Sequence, residues 1–149
     1  GSQHLLNSAV RNEKVTLILV NNTNYGMTGG QMAPTTLPGQ KTETTPYGRD
    51  PEKTGYPTKG PEFIAELTPE GAYVARATVS KYKQLKRFLK NALRNQMEGN
   101  GFSFVEVLST CPTNWRTNAQ QTWHFLEDEM EPVFPVGELK SPFGKGGDK

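Results

Sequence analysis

The sequence predicts an α/β domain organised around a doubly wound, mainly parallel sheet. Three observations lead there. Apolar runs of strand length alternate with stretches of helical periodicity, in the order helix, strand, loop, helix, strand, helix, strand, helix. The run Val15-Thr16-Leu17-Ile18-Leu19-Val20 is almost wholly aliphatic or β-branched, the pattern of a strand buried on both faces of a parallel sheet. Turn-forming residues gather directly after such a run, where open α/β sheets bind their ligands.

Taken in order, His4 to Arg11 reads as the closing turns of a helix, with Leu5, Leu6, Ala9 and Val10 at helical spacing and Asn12-Glu13 breaking it. A domain opening on such turns, after a Gly1-Ser2 pair that reads as an expression scar, is expected to be cut at its N-terminus. Asn21-Asn22-Thr23-Asn24 ends the first strand. From Gly26 to about Pro61 the chain is rich in Gly, Pro and Thr, and no apolar periodicity survives. A loop of that length inside a compact domain is uncommon, and its place after a buried strand favours function.

Pro61 to Leu67 reads as a short helix with proline in its first turn, closed by Gly71, and Ala72 to Ala77 as a short strand. Lys81 to Gln96 is the clearest helix. Leu85, Phe88, Leu89, Ala92 and Leu93 share one face, and Lys83, Lys86, Arg87, Lys90 and Arg94 cover the rest. Gly99 or Gly101 ends it. Phe102 to Leu108 is a further strand, stopping at Ser109-Thr110-Cys111-Pro112, and Thr117 to Glu129 is a last helix. Residues 3–140 then form one domain, with 141–149 a Gly/Lys tail expected to be disordered.

Composition excludes several function classes. A net charge of +2 over 149 residues is too mild to argue for nucleic acid. No stretch approaches the ~18–20 apolar residues of a membrane-spanning helix. One cysteine rules out an internal disulfide framework and points to a reducing, cytoplasmic compartment.

Chemistry concentrates in Asn21-Asn22-Thr23-Asn24-Tyr25-Gly26-Met27-Thr28-Gly29-Gly30-Gln31. Short side-chain oxygens stand at the open end of a strand, followed by flexible backbone. Asn carbonyls are hard oxygen donors suited to Mg²⁺, which shares its shell with phosphate oxygens. Glycines let backbone N–H groups approach a phosphate with no Cβ in the way. The residues by themselves thus fit a Mg²⁺–diphosphate site, and equally a polar turn after a strand.

Residues His4 to Thr36, with NNTNYGMTGGQMAPTT at their centre, resemble the second half of the thiamine-diphosphate motif in β subunits of 2-oxoacid:ferredoxin oxidoreductases. The resemblance continues through GAYVARATV and GFSFVEVLSTCPTNW, roughly three quarters of the chain. It implies a thiamine-diphosphate-binding fold, incomplete at the N-terminus, because the Gly-Asp-Gly that opens the motif lies farther upstream than the residues preceding Asn21. Residues 3–140 would be the C-terminal part of that domain.

On this resemblance Asn22 is the side-chain ligand of Mg²⁺ and the main-chain carbonyl of Asn24 a second ligand, with Met27, Thr28 and Gly29 against the diphosphate. The charged third ligand would be the Asp of the missing Gly-Asp-Gly, so this chain alone is expected to bind the cofactor weakly or not at all. Cys111 matches the fourth thiolate of a [4Fe–4S] centre in cluster-bearing members, although a lone cysteine is more often an inert packing residue. One thiolate cannot hold such a cluster. The implied activity of the intact enzyme is oxidative decarboxylation of a 2-oxoacid to an acyl-CoA, with an α subunit, coenzyme A and ferredoxin as partners. GMTGGQ and CPTNW lean towards 2-oxoglutarate or branched-chain substrates, and no residue in the chain is expected to act as a catalytic base.

Two rival readings remain. One is another thiamine-diphosphate enzyme, whose sequence would not be expected to continue with Thr-Gly-Gly-Gln and later Ser-x-Cys-Pro. The other is a non-catalytic piece that only binds a partner chain. Elsewhere the residues have ordinary explanations. His4 and His124 lack ligand spacing, Trp115 and Trp123 fit core or interface positions, and the basic face of the Lys81–Gln96 helix fits solvated surface better than steering of an acidic ferredoxin.

Overall fold

The computed structural model describes residues 1–144. Helix α1 (Ser2–Val10) leads into β1 (Thr16–Asn21), and two short strands follow, β2 (Asn24–Tyr25) and β3 (Gln31–Met32). Then come α2 (Pro51–Thr54), α3 (Gly60–Leu67), β4 (Tyr73–Thr78), α4 (Tyr82–Met97) and β5 (Ser103–Leu108). The last elements are α5 (Pro112–Trp115), α6 (Ala119–His124), a π-helical stretch (Phe125–Met130), α7 (Glu131–Val133) and β6 (Gly137–Lys140). The main sheet has the order β1-β5-β4-β6, and β2 and β3 pair antiparallel on their own.

The sheet is mainly parallel, as the sequence predicts. Val15 O accepts from Ser103 N and Asn21 O from Ser109 N, so the pairing of β1 with β5 advances in one direction. The exception is β6, a strand the sequence reading lacks, which runs antiparallel to β4 with an irregularity between Val74 and Ala75.

The described residues gather into two compact units. The first holds Gly1–Leu19, Gly60–Val107 and the chain from Val136. Its core follows the two-residue period of the strands. Tyr73, Ala75, Ala77, Val105 and Val107 pack with Phe88 and Ala92 of α4, while Val74, Phe102 and Phe104 pack with Ala9 of α1 and Ile64 of α3. Helices therefore cover both sheet faces, the doubly wound arrangement. Buried among them, Arg76 bonds Glu106 Oε2 through Nε at 2.5 Å and both carboxylate oxygens of Glu62 at 2.7 Å.

Three expectations need correction in this unit and the next. Among the described residues the first strand is not covered on both faces: it lies at an edge of their sheet, and Ile18, Leu19 and Val20 are 49%, 40% and 62% exposed. Leu93, placed on the apolar face of α4, is half exposed. The buried position there belongs to Asn95, whose amide donates to Ser103 Oγ at 3.1 Å. The single helix expected over Thr117–Glu129 is α6 running into the π-helical stretch. Of the tail expected to be disordered from Ser141, residues 141–144 are described, and Phe143 packs against Tyr73. Residues 145–149 lie outside the described residues.

The second unit holds Val20–Lys59 and Leu108–Pro135. Its long Gly/Pro/Thr segment is ordered by its backbone, by threonine and glutamine side chains such as Thr36, Gln40 and Thr45, and by a buried arginine. Arg49, 4% exposed, donates to the carbonyls of Pro34, Thr36, Thr54 and Tyr56. Gly48, at φ +99°, passes so close to Gly39 O that a Cβ would lie 2.6 Å from it, so only glycine fits there. Asn118 and Gln121 form a capping box at the start of α6, and Trp115 packs on Phe125 with ring centroids 4.5 Å apart.

Candidate functional site

The carboxyl end of β1 is fixed before any ligand is considered. Asn21 Oδ1 accepts from Thr23 N at 3.0 Å and from Thr35 Oγ1 at 2.8 Å. This local bond turns the chain at once, and Thr23 adopts φ +59°, an unusual conformation for a β-branched residue. The strain is held by neighbours: Thr23 is fully buried, Thr36 Oγ1 donates to its carbonyl at 2.5 Å, and Gln40 donates to its hydroxyl at 2.8 Å.

The strained residue sets the two asparagines on either side. Asn22 Oδ1 has only a 3.5 Å contact with Asn24 N, too long to satisfy it. Asn24 is buried, and its Oδ1 meets no donor among the described residues. A buried oxygen without a donor is uncommon and needs an explanation. With the half-buried Asn22 Oδ1 and the main-chain carbonyl of Asn24, it belongs to a set of neutral, hard oxygen donors of the kind Mg²⁺ accepts.

The next six residues form a closed turn. Gly29 N donates to Gly26 O at 3.2 Å and Gly30 N to Tyr25 O at 2.9 Å. Between them, the N–H groups of Met27 and Thr28 have no acceptor among the described residues, and the Met27 side chain is fully exposed. Two successive free N–H groups on a tight turn suit an anion. Of the residues expected to lie against a diphosphate, Met27 and Thr28 thus retain their donors, whereas the Gly29 donor is engaged within the turn. The Thr28 hydroxyl is also engaged, with Gln31 Oε1 at 2.5 Å.

Cys111 comes to this turn from β5. Ser109 N donates to Asn21 O at 2.9 Å, which holds the ends of β5 and β1 side by side. A Cβ placed on Gly26 would lie 3.4 Å from Cys111 Sγ and 3.5 Å from Asn22 Nδ2, so the thiol and Asn22 border the same glycine. Cys111 is a free, half-buried thiol. No group of three or more His, Cys, Asp or Glu side chains that could hold a metal is found among the described residues.

Two residues that sequence reasoning missed complete the site. Asn114 Nδ2 donates to Gly26 O at 3.1 Å and to Cys111 Sγ at 3.2 Å. Trp115 Nε1 donates to Asn22 O at 3.1 Å. The available signal was their place in the turn that Pro112 starts directly after Cys111. Beside them lies a cavity of about 300 Å³ lined by Lys41, Thr42, Glu43, Pro46, Asn114, Trp115 and Arg116. His124, by contrast, faces Asp128 in an exposed pair, and no helix among the described residues is long and apolar enough to cross a membrane.

Neutral oxygens and a free-amide turn at the carboxyl end of a strand in an α/β sheet have the chemistry of a diphosphate-binding class, and the comparisons give the family. Residues 2–107 match the family described as thiamine pyrophosphate enzyme, C-terminal TPP binding domain, and the chain belongs to that family. It is 46% identical over 143 residues to the ketoisovalerate oxidoreductase subunit VorA of Methanothermobacter thermautotrophicus, covering 94% of this chain and 30% of that protein. It is 40% identical over 132 residues to the 2-oxoglutarate synthase subunit KorB of Archaeoglobus fulgidus, covering 87% and 45%. Among solved structures it matches a 2-oxoglutarate:ferredoxin oxidoreductase from Magnetococcus marinus with 2-oxoglutarate, coenzyme A and succinyl-CoA bound. That match has a TM-score of 0.71 and 29% identity, over 95% of this chain and 52% of the other. The chain therefore spans about a third to a half of the length of these relatives.

Proposed function

We propose that the chain is part of the thiamine-diphosphate-binding subunit of a 2-oxoacid:ferredoxin oxidoreductase, an enzyme that converts a 2-oxoacid to an acyl-CoA. The observation that carries this reading is the turn itself. Two adjacent free N–H groups, on Met27 and Thr28, come three and four residues after Asn24, whose buried side-chain oxygen lacks a donor. Thiamine diphosphate, when bound, supplies the carbanion chemistry and the electron sink for decarboxylation.

The chain's own residues hold and orient. Asn22 Oδ1 and the Asn24 main-chain oxygen are the Mg²⁺ ligands, the Met27 and Thr28 amides receive the diphosphate, and Gly29 shapes the turn. Thr23 keeps both asparagines aimed without help from the ligand. All the metal donors here are neutral, so the charged carboxylate of the shell is supplied from outside these residues. The partners are an α subunit, ferredoxin, coenzyme A and the 2-oxoacid. The ketoisovalerate and 2-oxoglutarate names of the relatives keep both substrate classes in play. A reducing, cytoplasmic setting accords with the single cysteine. A [4Fe–4S] cluster does not fit this chain alone, because it needs four thiolates; Cys111 is proposed as one of the four in the intact subunit.

Calorimetry with thiamine diphosphate and Mg²⁺ tests the reading. The assembled enzyme should bind tightly, Asn22→Ala should weaken binding by about tenfold or more, and the 149-residue chain alone should bind weakly or not at all. Micromolar binding by the chain alone, or an Asn22→Ala enzyme that binds normally, would sink it. Reduction of a viologen dye, dependent on 2-oxoacid and on the α subunit, separates an enzyme subunit from a chain that only binds a partner.

A further inference from the structure

The amide of Asn114 serves two masters. One nitrogen, Nδ2, carries two hydrogens; one reaches the carbonyl of Gly26 at 3.1 Å and the other the sulfur of Cys111 at 3.2 Å. Gly26 O is also the acceptor for Gly29 N, so the Asn114 bond lands on the hydrogen bond that closes the turn. The other end of the amide is just as confined. A Cβ on Gly30 would lie 3.0 Å from Asn114 Oδ1, and one on Gly26 would lie 3.0 Å from Nδ2. Two glycines of the turn thus leave room for one amide inserted between them.

The side chain is aimed from a short turn with little freedom. Pro112 starts it, Trp115 N returns to Cys111 O at 2.9 Å, and Arg116 ends it at φ +55°. Trp115 fastens the same turn to Asn22 O at 3.1 Å. Cys111 cannot shift its sulfur without disturbing the amide that holds Gly26 O, and the turn cannot open without releasing the sulfur's donor.

We infer that Asn114 is a positioning residue that couples the Cys111 sulfur to the Tyr25–Gly30 turn, so that a change at the sulfur alters the order of the turn, and the reverse. Coupling between two sites is reciprocal by thermodynamic necessity. The inference rests on the proposed function for its meaning, since the turn is the one assigned to the diphosphate, but the coupling can be measured without any cofactor.

The chain has one cysteine, so iodoacetamide modifies a single site. The readout is hydrogen exchange at the Gly29 and Gly30 amides, which close the turn, in four forms of the 149-residue chain. These are the unmodified chain, the alkylated chain, Asn114→Leu, and alkylated Asn114→Leu. Leucine keeps the size and branching of asparagine and removes both donors without placing a charge against the Gly26 carbonyl. Either change alone should speed exchange by about three- to tenfold, the effect of losing one ordinary hydrogen bond. The two together should do no more than one, because both act through the same amide. Amides of β4 and β5 should be unchanged, which separates the effect from general loosening.

Additive effects would overturn the inference, and so would an alkylated chain that exchanges like the unmodified one. An assembled enzyme that fails to bind thiamine diphosphate, with the non-additive exchange pattern intact, would instead remove the proposed function and leave the coupling standing.

Discussion

Each of the two compact units buries an arginine, and the two are held in opposite ways. Arg76 is wholly buried in the first unit, between two glutamates, one of which, Glu106, is also buried. Arg49 is almost as buried in the second, but its donors end on four backbone carbonyls, and its Nε has no partner among the described residues. Burial opposes the charge at both. At Arg76 the hydrogen bonds and charges of Glu62 and Glu106 outweigh it and leave the pKa raised; at Arg49 burial is unopposed and lowers it. The first arginine neutralises charge within a sheet. The second shapes a loop, using the spread of the guanidinium fork to gather carbonyls from two stretches of chain.

The largest effect should come from breaking the first arrangement. Arg76→Ala leaves Glu106 buried without its cation, and the urea midpoint should fall by the equivalent of about 3–5 kcal/mol. Replacing both partners, as Arg76→Met with Glu106→Leu, should recover most of that loss, because well-packed apolar groups often match a buried ion pair. A double variant as unstable as the single one would show that the network contributes more than mutual neutralisation.

Arg49→Ala should act differently as well as less. The loss, about 1.5–3 kcal/mol for hydrogen bonds from a charged donor, should fall on the loop. Limited proteolysis within residues 31–59 should accelerate, while protected amides in β4 and β5 keep their exchange rates. Arg49→Lys should not restore the loop, since a single ammonium nitrogen cannot replace two guanidinium nitrogens that serve four carbonyls, Nη1 those of Pro34 and Thr36 and Nη2 those of Thr54 and Tyr56. Equal loosening of both units would erase the distinction drawn between the arginines.

The same contrast shows what the sequence could disclose. Continuity of apolar residues in β1 predicts burial on both faces, yet Ile18, Leu19 and Val20 lie at an edge of the sheet that the described residues form. The strands that are buried throughout carry Arg76 and Glu106. A strand's own residues report what it can tolerate; its neighbours decide what covers it. The alternation of helices and strands was legible because it rests on local periodicity. Strand β6 was not, because Gly137-Glu138-Leu139-Lys140 carries only one apolar residue and exists by pairing with β4. At the site, Asn22, Asn24, Met27 and Thr28 stood out as a contiguous motif. Asn114 did not, because its role depends on an approach between segments 88 residues apart.

A third arginine tests the comparison where burial is absent. Arg94 bonds Glu98 at 2.6 Å one helical turn away, with both side chains open to solvent. Glu98 caps the C-terminus of α4, where the helix dipole disfavours an anion. Its carboxyl is nevertheless held below the ordinary value of 4.5, chiefly by the hydrogen bond from Arg94. A depressed folded-state pKa means that the folded chain binds fewer protons than the unfolded one. The associated stabilisation is therefore present above pH 4.5 and is lost as pH falls through the lower folded value. In an NMR titration Glu98 should show a midpoint below 4.5, and Arg94→Gln should move it upward. The urea midpoint at neutral pH should barely change, because solvent screens an exposed pair. Arg94 also lies over the Phe143 ring, 4.6 Å from its centroid, so a loss comparable to that of Arg76→Ala would mean that burial of the pair is not what sets how much an arginine matters in this fold.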